Sequence, residues 1–194
     1  MPSDPLILAF DTSAAHCAAA LLRGDSILVS RTESMSRGQA ERLMPLLQEV
    51  LAEAGCTWRD LTAIGVGIGP GNFTGIRISV SAARGLALGL GIPAVGVSGF
   101  DALAATGDGL PAIRAPREQV YVVLPGQDPA LMAQEQAESL GPLILNDDAD
   151  AQVRAIARLA AQNWQSVTTA PAPLYVRPAD AAPSKDTPPV LLDG

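Results

Sequence analysis

Residues 65–77 read Gly-Val-Gly-Ile-Gly-Pro-Gly-Asn-Phe-Thr-Gly-Ile-Arg. They join an apolar strand over 61–68 to a helix predicted from about residue 74 to 90, and the joint carries Gly67, Gly69, Gly71 and Gly75 around Pro70. Glycine tolerates positive φ and lets a second backbone or a ligand come close. A strand that ends in glycines and opens into a helix N-terminus is a physical setup for holding an anion. It serves equally well to bring two helices or two subunits together. The segment matches neither the Walker pattern nor the dinucleotide fingerprint, so both readings stay open. Arg77, in the first helical turn, reaches an anion in one of them and a partner's carboxylate in the other.

Around this joint the chain reads as a packed α/β protein. Of 194 residues 48% are hydrophobic and 17% charged, while aromatics make up 4%, so the core is built from small and aliphatic side chains. Residues 6–11, 16–22 and 26–32 read as three strands, with Arg23-Gly24-Asp25 as the hairpin turn between the last two. Ser36 and Gln39 form a capping-box pattern before a helix with apolar positions at Leu43, Leu46, Leu47, Val50, Leu51 and Ala54, ended by Gly55. Thr57 to Asp60 is a second capping box. A strand over 92–97 and a helix capped by Ser98 complete β-β-β-α-β-α-β-α, a mixed sheet flanked by helices. Further on, 110–114, 119–124 and 131–134 read as strands and 150–162 as an amphipathic helix. Residues 1–105 are expected as a first lobe, 106–177 as a small second lobe and 178–194 as a loose Pro-rich tail.

The helix over 74–90 is apolar on more than one side. Ile76, Val80, Ala83, Ala87 and Leu90 form one stripe; Ile78, Ala82, Gly85 and Gly89 form another. One face covers the sheet, and the other needs a neighbour. Ser81, Gly85 and Gly89, at four-residue spacing, would let a second helix come close. Ala40, Met44 and Leu47 on the preceding long helix extend the same expected surface. With Arg77 and Ala82, these residues make up the candidate partner interface; burial in the chain's own core is the competing reading.

Asp11-Thr12-Ser13, at the end of the first strand, is the other candidate. A carboxylate followed by two hydroxyls can hold magnesium or phosphate, and Gly69 and Gly71 would complete such a site. The same residues also serve as ordinary caps of a turn. His16, the only histidine, reads as a strand residue near that turn, and with Cys17 and Cys56 scattered no metal site is expected. The single lysine, Lys185, lies in the tail. A net charge of −7 lacks the basic footprint of a protein that binds nucleic acid alone. No segment approaches a membrane span, so the expected setting is the cytoplasm.

The motifs resemble one family. Ala9-Phe10-Asp11-Thr12-Ser13, Glu41-Arg42-Leu43-Met44-Pro45 and above all residues 69–77 are similar to the TsaB (YeaZ) family of bacterial tRNA-modification proteins. Residues 114–121 and 173–177 resemble later landmarks. The resemblance implies an actin-like, Hsp70-like ATPase (ASKHA) fold with a shortened second lobe. It also implies a non-catalytic subunit that pairs with the paralogue TsaD, which transfers threonylcarbamoyl to the adenosine after the tRNA anticodon. It implies further that TsaE joins the assembly, that the subunit can self-associate as a homodimer, and that tRNA is met only through the complex. No cofactor is then expected on this chain alone, ATP and a metal belonging to the assembled complex. Where TsaD carries a histidine pair this chain reads Gly38-Gln39-Ala40-Glu41-Arg42; Asn72 stands where serine is usual, and Ser79 where glycine is common. A free-standing actin-like kinase or ATPase and, more remotely, a peptidase are the alternatives.

Overall fold

The computed structural model describes residues 4–176; Lys185 and the expected tail over 178–194 lie outside them. Three apolar strands open the chain: β1 (Leu6–Asp11), β2 (His16–Arg23) and β3 (Ser26–Ser34). They pair antiparallel in sequence order. Then β4 (Ala63–Gly67) adds in parallel beside β1, and β5 (Ala94–Val97) in parallel beside β4. The resulting order is β3-β2-β1-β4-β5. This is the mixed five-stranded sheet of the actin-like fold, and its central strands are buried on both faces.

One face is covered by α1 (Gln39–Glu53) and α2 (Phe73–Leu90). Leu43, Leu46, Leu47 and Val50 of α1 meet Leu8, Phe10 and Leu21 of the sheet in the larger core. The Ser36 capping box does not form. Gly38 at φ 89° takes the N-cap position without a side-chain bond, and Gln39 instead donates its amide to the Met35 carbonyl. The second box does form: the Asp60 carboxylate accepts from the Thr57 backbone N–H at 2.7 Å and from its hydroxyl at 2.8 Å.

The opposite face is covered by α5 (Ala149–Asn163), whose Val153, Ile156, Ala157 and Ala160 pack on Ile7, Ala9, Ala18 and Ala20. A helix expected in the second lobe therefore completes the core of the first. Gly65 makes room for it, since a Cβ there would lie 2.9 Å from that of Ala160. Between α3 (Gly99–Ala104) and α5 the chain builds a second sheet from β6 (Leu110–Ala115), β7 (Gln119–Val122), β8 (Ala130–Ala133) and β9 (Leu143–Leu145), in the order β8-β7-β6-β9. A short α4 (Gln134–Glu138) precedes β9. Both β9 and α4 escape periodicity because each is under two turns or three residues long. Arg114 holds this lobe's edge through a bidentate pair to Asp147 at 2.6 and 2.8 Å.

Candidate functional site

The glycine joint connects β4 to α2 and lies across the end of β1. Asn72 caps α2, its side-chain oxygen accepting from the Gly75 N–H at 2.8 Å, the bond that serine would supply at an N-cap. Ser79 sits where the helix crosses the strand: buried, it donates to the Gly67 carbonyl at 3.2 Å or to that of Ile76 at the same distance. Both departures from the family pattern thus have local partners.

Gly71 and Gly75 are spent on the chain's own backbone. The Asn72 N–H donates to the Ser13 carbonyl at 2.6 Å, and the Thr12 hydroxyl donates to the Gly75 carbonyl at 2.7 Å. A Cβ on Gly75 would stand 1.9 Å from the Thr12 carbonyl oxygen, and one on Gly71 would stand 2.3 Å from that of Ser13. Asp11 is turned inward as well. One carboxylate oxygen accepts from the Ser13 N–H, the Ser13 hydroxyl and His16 Nε2, the last two at 2.8 Å. Its other oxygen is buried without a partner against Gly67, where a Cβ would come within 2.0 Å. Asp11, Thr12, Ser13, Gly69 and Gly71 therefore come together, with all of their polar side-chain atoms but one Asp11 oxygen bonded within the chain. Gly71 and Gly75 are taken up by backbone carbonyls and Gly69 by the Ile76 side chain, while Ser13, Gly71 and Asn72 also line a hollow of about 560 Å³ shared with Arg114 and Tyr121. His16 was legible only as a residue near a turn; its carboxylate partner lies five positions away across that turn. Among the described residues no group of three His, Cys, Asp or Glu side chains is placed to hold a metal ion.

The candidate partner residues fall into two groups. Ala82 packs in part on the core beneath α1, as Ile78 does, while Ile76, Val80 and Ala83 form the buried side of α2. Leu47 is wholly buried between α1 and the sheet and offers no surface to a partner, which corrects its place in the expected interface. Ala40, Met44, Arg77, Ser81, Gly85 and Gly89 are exposed. Nothing approaches within 4 Å of a Cβ built on Gly85 or Gly89, and Leu88 beside them is 86% exposed. Between this end of α2 and residues 167–171 lies a mostly apolar hollow of about 630 Å³. One side of the helix is thus sealed by the chain and the other is not. A helix that keeps glycine and leucine on its exposed face invites another chain to pack there.

At the N-terminal end of α2 the face acquires aromatic groups that sequence reading passed over. Tyr175 stacks on Phe73 with ring centroids 4.9 Å apart, Arg77 lies 4.3 Å over the Phe73 ring, and its Nε–H donates to the Tyr175 hydroxyl at 3.1 Å. The signal in the sequence was the spacing Phe73-x-x-x-Arg77, one helical turn apart. Its third member lies 98 residues on, beyond the reach of periodicity.

The family model described as "TsaD: tRNA N6-adenosine threonylcarbamoyltransferase" matches residues 28–175. The proteins named tRNA threonylcarbamoyladenosine biosynthesis protein TsaB are similar as well. That of Escherichia coli is 40% identical over 47% of this chain and 39% of its own length. That of Bacillus subtilis is 40% identical over 61% of this chain and 54% of its own. The chain belongs to the TsaB family.

As a TsaB-family member it spans about half the length, or less, of these curated relatives. An uncharacterized protein of Mycobacterium tuberculosis is 32% identical over 91% of this chain and 94% of its own. Among solved structures, YeaZ from Pseudomonas aeruginosa superposes with a TM-score of 0.70 at 26% identity, covering 89% of this chain and 100% of that one. A second, an uncharacterized protein with similarity to peptidase YeaZ from the same organism, gives 0.71 at 25%, with the same coverage. The TsaB-like fold therefore extends into the second lobe, past the motifs of the first.

Proposed function

We propose that this chain is a non-catalytic subunit of the machinery that forms threonylcarbamoyladenosine in tRNA, and that it acts in the cytoplasm by holding TsaD through the exposed face of α2 and the adjoining part of α1. The observation that carries this reading is the open stripe Ser81, Gly85 and Gly89 beside an exposed Leu88. A helix in water gains nothing from glycine there and loses about 1 kcal/mol at each relative to alanine. Close approach of a second helix is what such a stripe provides. The names of the TsaB relatives supply the pathway.

In this reading the chain carries no cofactor of its own, ATP and a metal enter with TsaD and TsaE, and tRNA is met through the complex. The inward-turned Asp11 carboxylate supports it, because a free-standing kinase would need that group facing its nucleotide. The test is a sizing-column run of the full chain with and without TsaD from the same genome. Co-elution is expected, and Gly85→Leu should weaken it at least tenfold. Separate elution of the wild-type pair sinks the reading.

A further inference from the structure

Residues 173–176 are not used by the reading above, yet they are fixed in a particular place. The Leu174 N–H donates to the Ile68 carbonyl at 2.8 Å, which pins the segment beside the glycine joint. Leu174 then packs with Phe100, Ile113 and Tyr121 on the inner side. Tyr175 is left to turn outward, where it lies 44% exposed against a Phe73 that is 53% exposed. Two large aromatics exposed side by side are conspicuous in a chain with seven. Stacked aromatics joined to an arginine have the composition of an interface anchor.

The arginine has a definite placement. Arg77 is held on two sides, by the Phe73 ring beneath it and by the Tyr175 hydroxyl at its Nε, which leaves the N–H groups of its terminal nitrogens for another acceptor. Arg84 follows seven residues later on the same side of α2. Arg77, Ser81, Arg84, Pro173 and Tyr175 line one continuous hollow of about 690 Å³. Among the described residues neither Arg77 nor Arg84 has a carboxylate partner, although acidic residues outnumber basic ones by 20 to 13. Two cations two turns apart along a face otherwise made of serine, glycine and leucine fit a partner helix that carries carboxylates among small residues. A second copy of the chain fits this part of the face poorly, because it would bring a second pair of arginines.

We propose that residues 173–176 are a strap belonging to the docking face, with Tyr175 as a positioning residue that sets Arg77 to meet a carboxylate on the partner's helix. This rests on the pairing with TsaD proposed above. Arg77 is held by Phe73 and Tyr175 before the partners meet, so less of the attraction is offset by freezing its long side chain on binding.

The test is titration calorimetry of the full chain against TsaD from the same genome, at about 50 mM and about 500 mM salt. Arg77→Ala should weaken binding about tenfold at low salt and under threefold at high salt. Tyr175→Phe, which keeps the stack and removes the hydroxyl, should weaken it about threefold with the same convergence. The double variant should be no weaker than R77A alone, because Tyr175 acts through Arg77. Both positions are on the surface, and unchanged melting temperatures would exclude misfolding. A wild-type chain that binds while R77A and Y175F match it overturns the strap and leaves the pairing intact. Effects of the two variants that multiply in the double variant also overturn it. Wild type that binds no TsaD removes both proposals together. Self-association abolished by Arg77→Glu with TsaD binding untouched would assign the face to a second copy, and the proposal would be wrong.

Discussion

Two glycines of α2 separate structural demand from surface use. Gly75 stands against the Thr12 carbonyl with no room for a Cβ, whereas Gly85 faces open space. Gly75→Ala should therefore destabilise the fold by about 3 kcal/mol in urea melts, through displaced backbone and the lost Thr12 bond. Gly85→Ala should stabilise it by about 0.5–1 kcal/mol through helix propensity alone, while weakening the association with TsaD. Equal effects at the two positions would contradict the burial pattern. Asp11→Ala should cost about 3 kcal/mol, because it strands the Ser13 donors and His16 in a buried place. Cys17 lies beneath the same turn, and burial pushes its thiol up to about 11, with the nearby Glu33 adding to the shift. At pH 8 it should resist thiol reagents until the protein is unfolded, which colorimetric thiol counting can follow. Of these residue-scale facts, the sequence showed that glycines cluster but not what they cluster against. That needs the neighbour across the joint, and Thr12 lies 63 positions from Gly75.

Among the elements, β3 and α1 are tied by charge at their solvent edge. Arg42 of α1 donates to Glu33 of β3 at 2.7 Å through Nε and to both oxygens of Glu49 at 2.7 Å. These bonds hold the carboxyls of Glu33 and Glu49 below their ordinary value. The contribution is thus complete above the unfolded value of 4.5 and is lost as pH falls through the lowered folded values. Arg42→Met should flatten the fall of melting temperature below pH 4.5 and leave neutral pH little changed. Helix placement was readable to within a residue or two wherever the apolar stripe was long, as in α1, α2 and α5. The cap of α1 was less so. The Ser36–Gln39 spacing satisfied the capping pattern, but Gly38 in the left-handed region turned the chain before Ser36 could reach the helix. Thr57 and Asp60 had no glycine between them, and that box formed. The sheet that α5 covers was not readable either, because periodicity reports that a helix has a face and not where the face goes.

On the scale of the whole molecule the two sheets are unequally supported. The first lies between α1 with α2 on one side and α5 on the other. The second rests on a small core of Ala112, Val120, Val122 and Ala137. Amide exchange should accordingly be slowest in β1, β2 and β4, while β6 to β9 exchange through a local opening well below the cost of global unfolding. Uniform protection across both sheets would show that they open as one. The return of α5 also bears on how the protein is made. About fifty residues of synthesis separate Val97, the last residue of β5, from Ala149, the first of α5. Through that interval the ribosome carries a finished set of strands with one oily flank uncovered, so the growing polypeptide depends on a holdase or on speed until its own lid emerges.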